Sequence, residues 1–122
     1  TVGLVGTGAI GLRTAAILKA FGCRLLAYSR TERQEALDMG IEYTTLEDLM
    51  QRSDIISLHT PLTAQTKGLI SREMLMLCKS TAIIINTASL KLFLTSSPPF
   101  TSISKITSLV FNCSFTNSFG VP

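Results

Sequence analysis

The string Gly6-Thr7-Gly8-Ala9-Ile10-Gly11 constrains this chain more than any other feature, because of what flanks it. Before it lies Val2-Gly3-Leu4-Val5, a short apolar run suited to a buried parallel strand. After it, residues 9 to 21 carry Ile10, Ala15, Ile17, Leu18 and Phe21 at helical spacing, and Gly22 follows as a natural stop. Glycines so placed between strand and helix have separate physical tasks. Gly6 permits the tight turn, Gly8 lets backbone approach a pyrophosphate with no Cβ in the way, and Gly11 lets the helix pack close to the strand. The free amides at the helix start, with the positive end of its dipole, then face the phosphates. The context points to a bound dinucleotide. A methyl-donor site of the S-adenosylmethionine type is a rival, but it normally wants an acidic residue after the second strand.

The rest of the first 88 residues alternates strands with helices. Leu25-Leu26-Ala27-Tyr28 reads as a strand, and Glu32 to Met39 as a short amphipathic helix closed by Gly40. Thr45 followed by Asp48 resembles a capping box opening a helix through Met50. Ile55-Ile56-Ser57-Leu58 is a further strand, Ser71 caps a helix to about Leu77, and Ala82-Ile83-Ile84-Ile85-Asn86 is another buried strand. Such alternation implies βαβ units with right-handed crossovers. The predicted fold is α/β: a Rossmann-type doubly wound parallel sheet, truncated after its fifth strand, with an irregular C-terminal tail.

Composition excludes other classes. The net charge is only +3, and Arg13, Lys19, Arg24, Arg30, Arg33 and Arg52 are scattered among acids, so no nucleic-acid footprint is predicted. Cys23, Cys78 and Cys113 show no metal spacing and no CxxC, so no metal site is predicted. An odd cysteine count with no secretory segment fits reduced thiols and a cytoplasmic setting. No apolar run is long enough for a bilayer. Thr1 already opens a strand, so both ends are expected to be cut points of a longer protein.

The dinucleotide fingerprint usually places an acid about 20 residues beyond the glycines, on the adenosine ribose. This chain instead reads Tyr28-Ser29-Arg30-Thr31-Glu32-Arg33. Ser29 and Thr31 can donate hydrogen bonds to a 2′-phosphate, and Arg30 can pair with it through its planar fork. NADP(H) is therefore the expected cofactor, with NAD(H) as the alternative.

At Ala88 the sequence changes character. All eight acidic residues precede it, and five of the six phenylalanines follow it. Residues 89–122 hold eight serines and four threonines, with apolar clumps such as Leu92-Phe93-Leu94 and no clear period. Such a segment is too apolar for a solvated tail and too unpatterned for a folded one. The chain therefore divides into a partial dinucleotide-binding domain, 1–88, and a non-homologous tail, 89–122. The tail is expected to be disordered or to derive from a frameshift, an intron or a gene remnant.

Taken in order, several strings carry a family resemblance. Besides Gly6 to Gly11, they are Leu58-His59-Thr60-Pro61-Leu62-Thr63, then Thr66-Lys67-Gly68-Leu69-Ile70, then Ile85-Asn86-Thr87-Ala88. Residues 1–88 resemble the cofactor domain of the D-isomer-specific 2-hydroxyacid dehydrogenases, which include glyoxylate/hydroxypyruvate reductases. The resemblance implies hydride transfer between a nicotinamide cofactor and a small 2-hydroxy or 2-oxo acid. It implies that His59, Thr60 and Pro61 contact the adenosine side of the cofactor, and that Thr87 and Ala88 line the nicotinamide side. The full set of expected cofactor-binding residues is Gly6, Gly8, Ala9, Ile10, Gly11, Ser29, Arg30, Thr31, His59, Thr60, Pro61, Thr66, Thr87 and Ala88.

The same resemblance implies a catalytic arginine directly after Asn-Thr-Ala, followed by glycine, with a glutamate and a histidine farther on. Here the arginine position is Ser89, followed by Leu90; no histidine follows His59 and no glutamate follows Glu73. His59 does not match the family's catalytic histidine, so no catalytic residue is assigned. This chain alone is expected to be inactive, the intact parent being a homodimeric enzyme. The alternatives are a non-catalytic nucleotide-binding module of the corepressor type and a truncated product without function.

Overall fold

Nine elements alternate along the residues that the computed structural model describes, 1–61 and 63–88. They are β1 (Val2–Val5), α1 (Ala9–Ala20), β2 (Leu25–Tyr28), α2 (Gln34–Asp38), β3 (Glu42–Tyr43), α3 (Leu46–Arg52), β4 (Ile55–Leu58), α4 (Arg72–Leu77) and β5 (Ile83–Asn86). All strand pairs are parallel, and the sheet order is β3-β2-β1-β4-β5. The fold is thus the Rossmann-like α/β architecture expected. The chain leaves β1 toward β2 on one side and later lays β4 on the other. The switch point between β1 and β4 opens a crevice at their carboxyl ends, where such sheets take ligands.

Strand alternation divides the core between two faces. Val5, Leu26, Ile56, Leu58 and Ile84 pack with Leu46, Leu49 and Met50 of α3 and Leu75 of α4. Val2, Leu4, Leu25 and Ala27 pack with Ala15 of α1 and Ala36 of α2. Burial of each large side chain here contributes about 1.5–3 kcal/mol, which is why unbroken apolar runs sit at these strands. Gly3 is at a tight crossing with α3: a Cβ there would lie 2.5 Å from Leu49 Cδ2 and 2.4 Å from Ser53 Oγ.

Helix α1 turns only part of its apolar set inward. Gly11 and Ala15 are its buried residues, while Ile10, Ile17 and Phe21 are 69%, 60% and 80% exposed. Close approach to the sheet selects the small residues. Leu12 and Leu18 pack partly against the same cluster, and Ile10, Ile17 and Phe21 form an outward apolar stripe.

Local chemistry explains the other boundaries. Helix α2 is shorter than the amphipathic pattern over 32–39, because Arg33 is extended and its N–H donates to Tyr43 Oη at 3.1 Å. Strand β3 is only two residues long, too short to show a period. At α3, Asp48 N–H donates to Thr45 Oγ1 at 3.2 Å, as a cap requires. The reciprocal half of the box is absent, because the Asp48 carboxylate accepts from Thr44 Oγ1 and Arg52 instead. The helix runs on to Arg52 rather than stopping at Met50. Arg52, and after it Arg24, hold the exposed Glu42 carboxyl below its usual range and tie β3 to its neighbours. The Ser71 cap is made as expected, with Met74 N–H donating to Ser71 Oγ at 3.3 Å.

Cys23 and Cys78 are free and half-buried, and burial pushes the Cys78 thiol up, away from reactive thiolate. Cys113, Ser89 and the expected tail at 89–122 lie outside the described residues. Among the described residues no helix is long and apolar enough to cross a membrane.

Candidate functional site: a nucleotide crevice at the β1–β4 switch point

The crevice is built first by the turn after β1. Gly6 N–H donates to the Tyr28 carbonyl at 2.8 Å, and Gly6 has φ +102°, a conformation that L side chains rarely adopt. Gly11 sits one turn into α1, where a Cβ would fall 2.2 Å from the Gly6 carbonyl oxygen. These two glycines are required by the protein itself. Gly8 is not. Its φ is −69°, which any residue tolerates, and a Cβ there would meet nothing within 4 Å.

Gly8 is also the N-cap of α1, and that cap makes no side-chain hydrogen bond. No acidic residue lies in the first turn. The amides of Ala9, Ile10 and Gly11 lack intrahelical partners by position, so an uncapped positive helix end faces open space. That open space is part of a cavity of about 520 Å³, within the usual range for small-molecule sites.

The β2 and β4 exits supply the other walls. Tyr28, Ser29, Arg30, Thr31 and Arg33 line one side; His59, Thr60, Pro61, Thr63, Gln65, Thr66 and Leu69 line the other. Arg30 Nη1 donates to Gln65 Oε1 at 3.3 Å, linking the two sides. No carboxylate is among the lining residues. The Thr60 hydroxyl donates to the Val5 carbonyl at 2.9 Å and His59 N–H donates to the same carbonyl at 2.8 Å, which staples the β4 exit to β1. The Thr66 hydroxyl donates to the Pro61 carbonyl at 2.6 Å and accepts from Thr63 N–H at 2.7 Å, so it braces its own loop.

Of the residues expected from sequence, Gly6, Gly8, Ser29, Arg30, Thr31, His59, Thr60, Pro61 and Thr66 surround this cavity. Ala9, Ile10, Gly11, Thr87 and Ala88 do not line it. Ala9 and Ile10 are exposed at the helix start and present backbone rather than side chain. Gly11 is buried behind the turn. Thr87 and Ala88 follow β5, one strand farther out; Thr87 Oγ1 is 3.0 Å from His59 Nδ1, whereas the Ala88 N–H donates to Asn86 Oδ1.

Thr7, Tyr28, Arg33, Thr63, Gln65 and Leu69 also line the cavity and were not singled out. Arg33 and Tyr28 had a signal, their place in the segment after β2. Gln65 had none, since nothing local reveals that it meets Arg30. Thr7 is buried and accepts from Tyr43 Oη at 3.0 Å, a contact across 36 residues of chain.

The family model for the D-isomer specific 2-hydroxyacid dehydrogenase NAD binding domain matches residues 1–93. The chain belongs to this family. Among members of the 2-hydroxyacid dehydrogenase family, glyoxylate reductase of Aeropyrum pernix is 49% identical over 88 residues, which cover 71% of this chain and 26% of that protein. The solved D-lactate dehydrogenase of Salmonella is 44% identical with a TM-score of 0.69, over 71% of this chain and 26% of that one. D-lactate dehydrogenase of Aquifex aeolicus, solved with NAD and lactic acid, is 41% identical with a TM-score of 0.69, over 71% and 26%. The chain therefore spans about a quarter of the length of these relatives and carries the NAD-binding part of a 2-hydroxyacid dehydrogenase.

Proposed function

We propose that this chain holds NADP(H) for a dehydrogenase that interconverts a small 2-oxo acid, such as glyoxylate or hydroxypyruvate, with its 2-hydroxy acid. The observation that carries the reading is Gly8. Neither backbone conformation nor packing demands glycine there, so the open space above an uncapped helix end is what a side chain would spoil. A diphosphate is the group that such a positive, donor-rich cradle fits.

The preference for the 2′-phosphate is supported by Arg30 and Arg33, by the Ser29 and Thr31 hydroxyls, and by the lack of any lining carboxylate. Gln65 holds the Arg30 fork in place, which reduces the ordering cost of using it. When bound, the cofactor supplies or accepts a hydride at its nicotinamide ring. The residues described here would bind and orient it: the β1–α1 turn at the diphosphate, the segment after β2 at the adenosine ribose, and the β4 and β5 exits farther along.

Turnover is assigned to the parent rather than to these 122 residues. Ser89 stands where the family resemblance expects the substrate-holding arginine, and no histidine follows His59. The parent is proposed to be a homodimer, and the exposed stripe of Ile10, Ile17 and Phe21 is an apolar surface that a second subunit would cover.

Calorimetric titration of the chain with NADPH and NADH tests the reading. NADPH is expected to bind about tenfold or more tighter, since one charge-assisted hydrogen bond is worth roughly 1.5–3 kcal/mol. Arg30→Ala is expected to remove most of that difference while leaving NADH affinity unchanged. Equal affinities in the wild-type chain would remove the NADP assignment, and no binding of either nucleotide would remove the cofactor site. The chain with NADPH is expected to leave glyoxylate unreduced; measurable turnover would overturn the assignment of catalysis to the parent.

A further inference from the structure

Tyr43 ends a strand of only two residues, yet its hydroxyl touches both the phosphate turn and the segment after β2. Oη donates to Thr7 Oγ1 at 3.0 Å and accepts from Arg33 N–H at 3.1 Å. Chemistry fixes the directions. A backbone N–H can only donate, so Oη accepts from Arg33 and gives its single proton to Thr7. The reach selects tyrosine as well. Tyr43 pairs with Ala27 of β2, and β2 separates β3 from β1. Two strand spacings come to about 10 Å, which takes a long side chain with a polar tip to cross. On the way the ring packs against the cluster of Val2, Leu4, Ala15 and Ala27.

Both partners sit at anchored points of the crevice. Thr7 is buried and lies between Gly6 and Gly8, at the centre of the turn. Arg33 is held on either side of its Cα: its N–H by Tyr43, and its carbonyl by the Ala36 and Leu37 amides that open α2. Arg33 and Arg30 line the same cavity as Gly8. One hydroxyl therefore joins the wall that faces a diphosphate to the wall that carries the arginines.

We propose that Tyr43 is a positioning residue for nucleotide choice: its hydroxyl sets the separation between the α1 phosphate cradle and the segment 30–33, so that a diphosphate and a 2′-phosphate are met together. The proposal rests on the NADP(H) reading above. In that ligand the two phosphate groups are borne by one ribose, so their separation is nearly fixed. A second contact at the matching separation needs little further ordering, and one at the wrong separation is forfeited. NADH has no 2′-phosphate and needs only the cradle. Loss of the bridge should therefore weaken NADPH more than NADH.

Calorimetric titration of the 122-residue chain with NADPH and NADH tests this in Tyr43→Phe, in Thr7→Val and in the double variant. Phenylalanine keeps the partly buried ring and valine keeps the branched shape of threonine, so each removes one hydroxyl from the bridge. NADPH is expected to bind about fivefold more weakly to each single variant, and NADH to stay within about twofold of wild type. The double variant is expected to match the single ones within about twofold, because the same bridge is broken once. A hydroxyl that only supports the fold would weaken both nucleotides alike. That result overturns the proposal, as do losses that multiply in the double variant. If Tyr43→Phe does not fold, Thr7→Val decides on the same NADPH-to-NADH ratio. A wild type that prefers NADPH, with variants that keep the preference, overturns this proposal alone. A wild type that binds neither nucleotide, or both equally, overturns the NADP(H) reading and this proposal with it.

Discussion

A Gly8→Ala chain is expected to melt at the wild-type temperature and yet bind NADPH at least about tenfold more weakly. The two halves of this result have different causes. Folding is spared because Gly8 has φ −69° and a Cβ would touch no protein atom within 4 Å. Alanine there even restricts the unfolded chain, which offsets any small loss. Binding suffers because the new methyl occupies the space into which the α1 amides point. It would keep a phosphate beyond hydrogen-bonding distance, and a charge-assisted bond lost there costs roughly 1.5–3 kcal/mol, or tenfold and more in affinity. Thermal unfolding without ligand and calorimetric titration with NADPH check the two halves separately. Full affinity in the alanine chain would show that no phosphate lies over Gly8. A large fall in melting temperature would show that the turn itself needs glycine.

Gly11→Ala is expected to give the reverse pattern, with stability failing first. Its Cβ would fall 2.2 Å from the Gly6 carbonyl oxygen and 3.7 Å from His59 Cβ. The first of these is a backbone atom in a turn fixed by the Gly6–Tyr28 hydrogen bond, so no rotamer change relieves the clash. Helix α1 must move off the sheet, which uncovers Ala15 and the apolar residues packed around it. Overpacking of this kind costs about 1–3 kcal/mol, which for a domain of this size lowers the melting temperature by roughly 5–20 °C. Displacing α1 also carries its amides away from the crevice, so affinity should fall too. Urea unfolding of the two alanine variants side by side is the decisive measurement. If Gly11→Ala were as stable as wild type, the close helix–strand contact would be wrong.

The two glycines show how much of this site was legible in the sequence. Spacing assigned one to ligand approach and the other to helix packing, and the clearances at the two positions differ in the same sense. The strands were legible for a simple reason. A parallel strand covered on both faces is apolar in nearly every position, as Leu25-Leu26-Ala27 is, and few loops imitate that. The Thr45 and Ser71 caps were legible because a cap is a contact between near neighbours. Illegible features are those that depend on which distant residues arrive beside one another. Nothing near Gln65 announces Arg30, and nothing near Tyr43 announces Thr7. The same limit split α1: helical spacing grouped Ile10, Ala15, Ile17, Leu18 and Phe21, but the sheet takes Ala15 and Leu18 and leaves Ile10, Ile17 and Phe21 outside.

The amino-acid order alone determined the succession of strands and helices, the parallel sheet, and a helix whose first turn lacks a side-chain cap and an acid. Each of these follows from residues within a few positions of one another. Tertiary structure alone decided which face of α1 touches the sheet, where the β4 loop closes the crevice, and that one imidazole lies within hydrogen-bond reach of both Ser57 and Thr87. The last two turn on separations such as the 28 residues from His59 to Thr87, the 35 from Arg30 to Gln65 and the 55 from Val5 to Thr60, which only the stacking of β1, β2, β4 and β5 reduces to hydrogen-bond length.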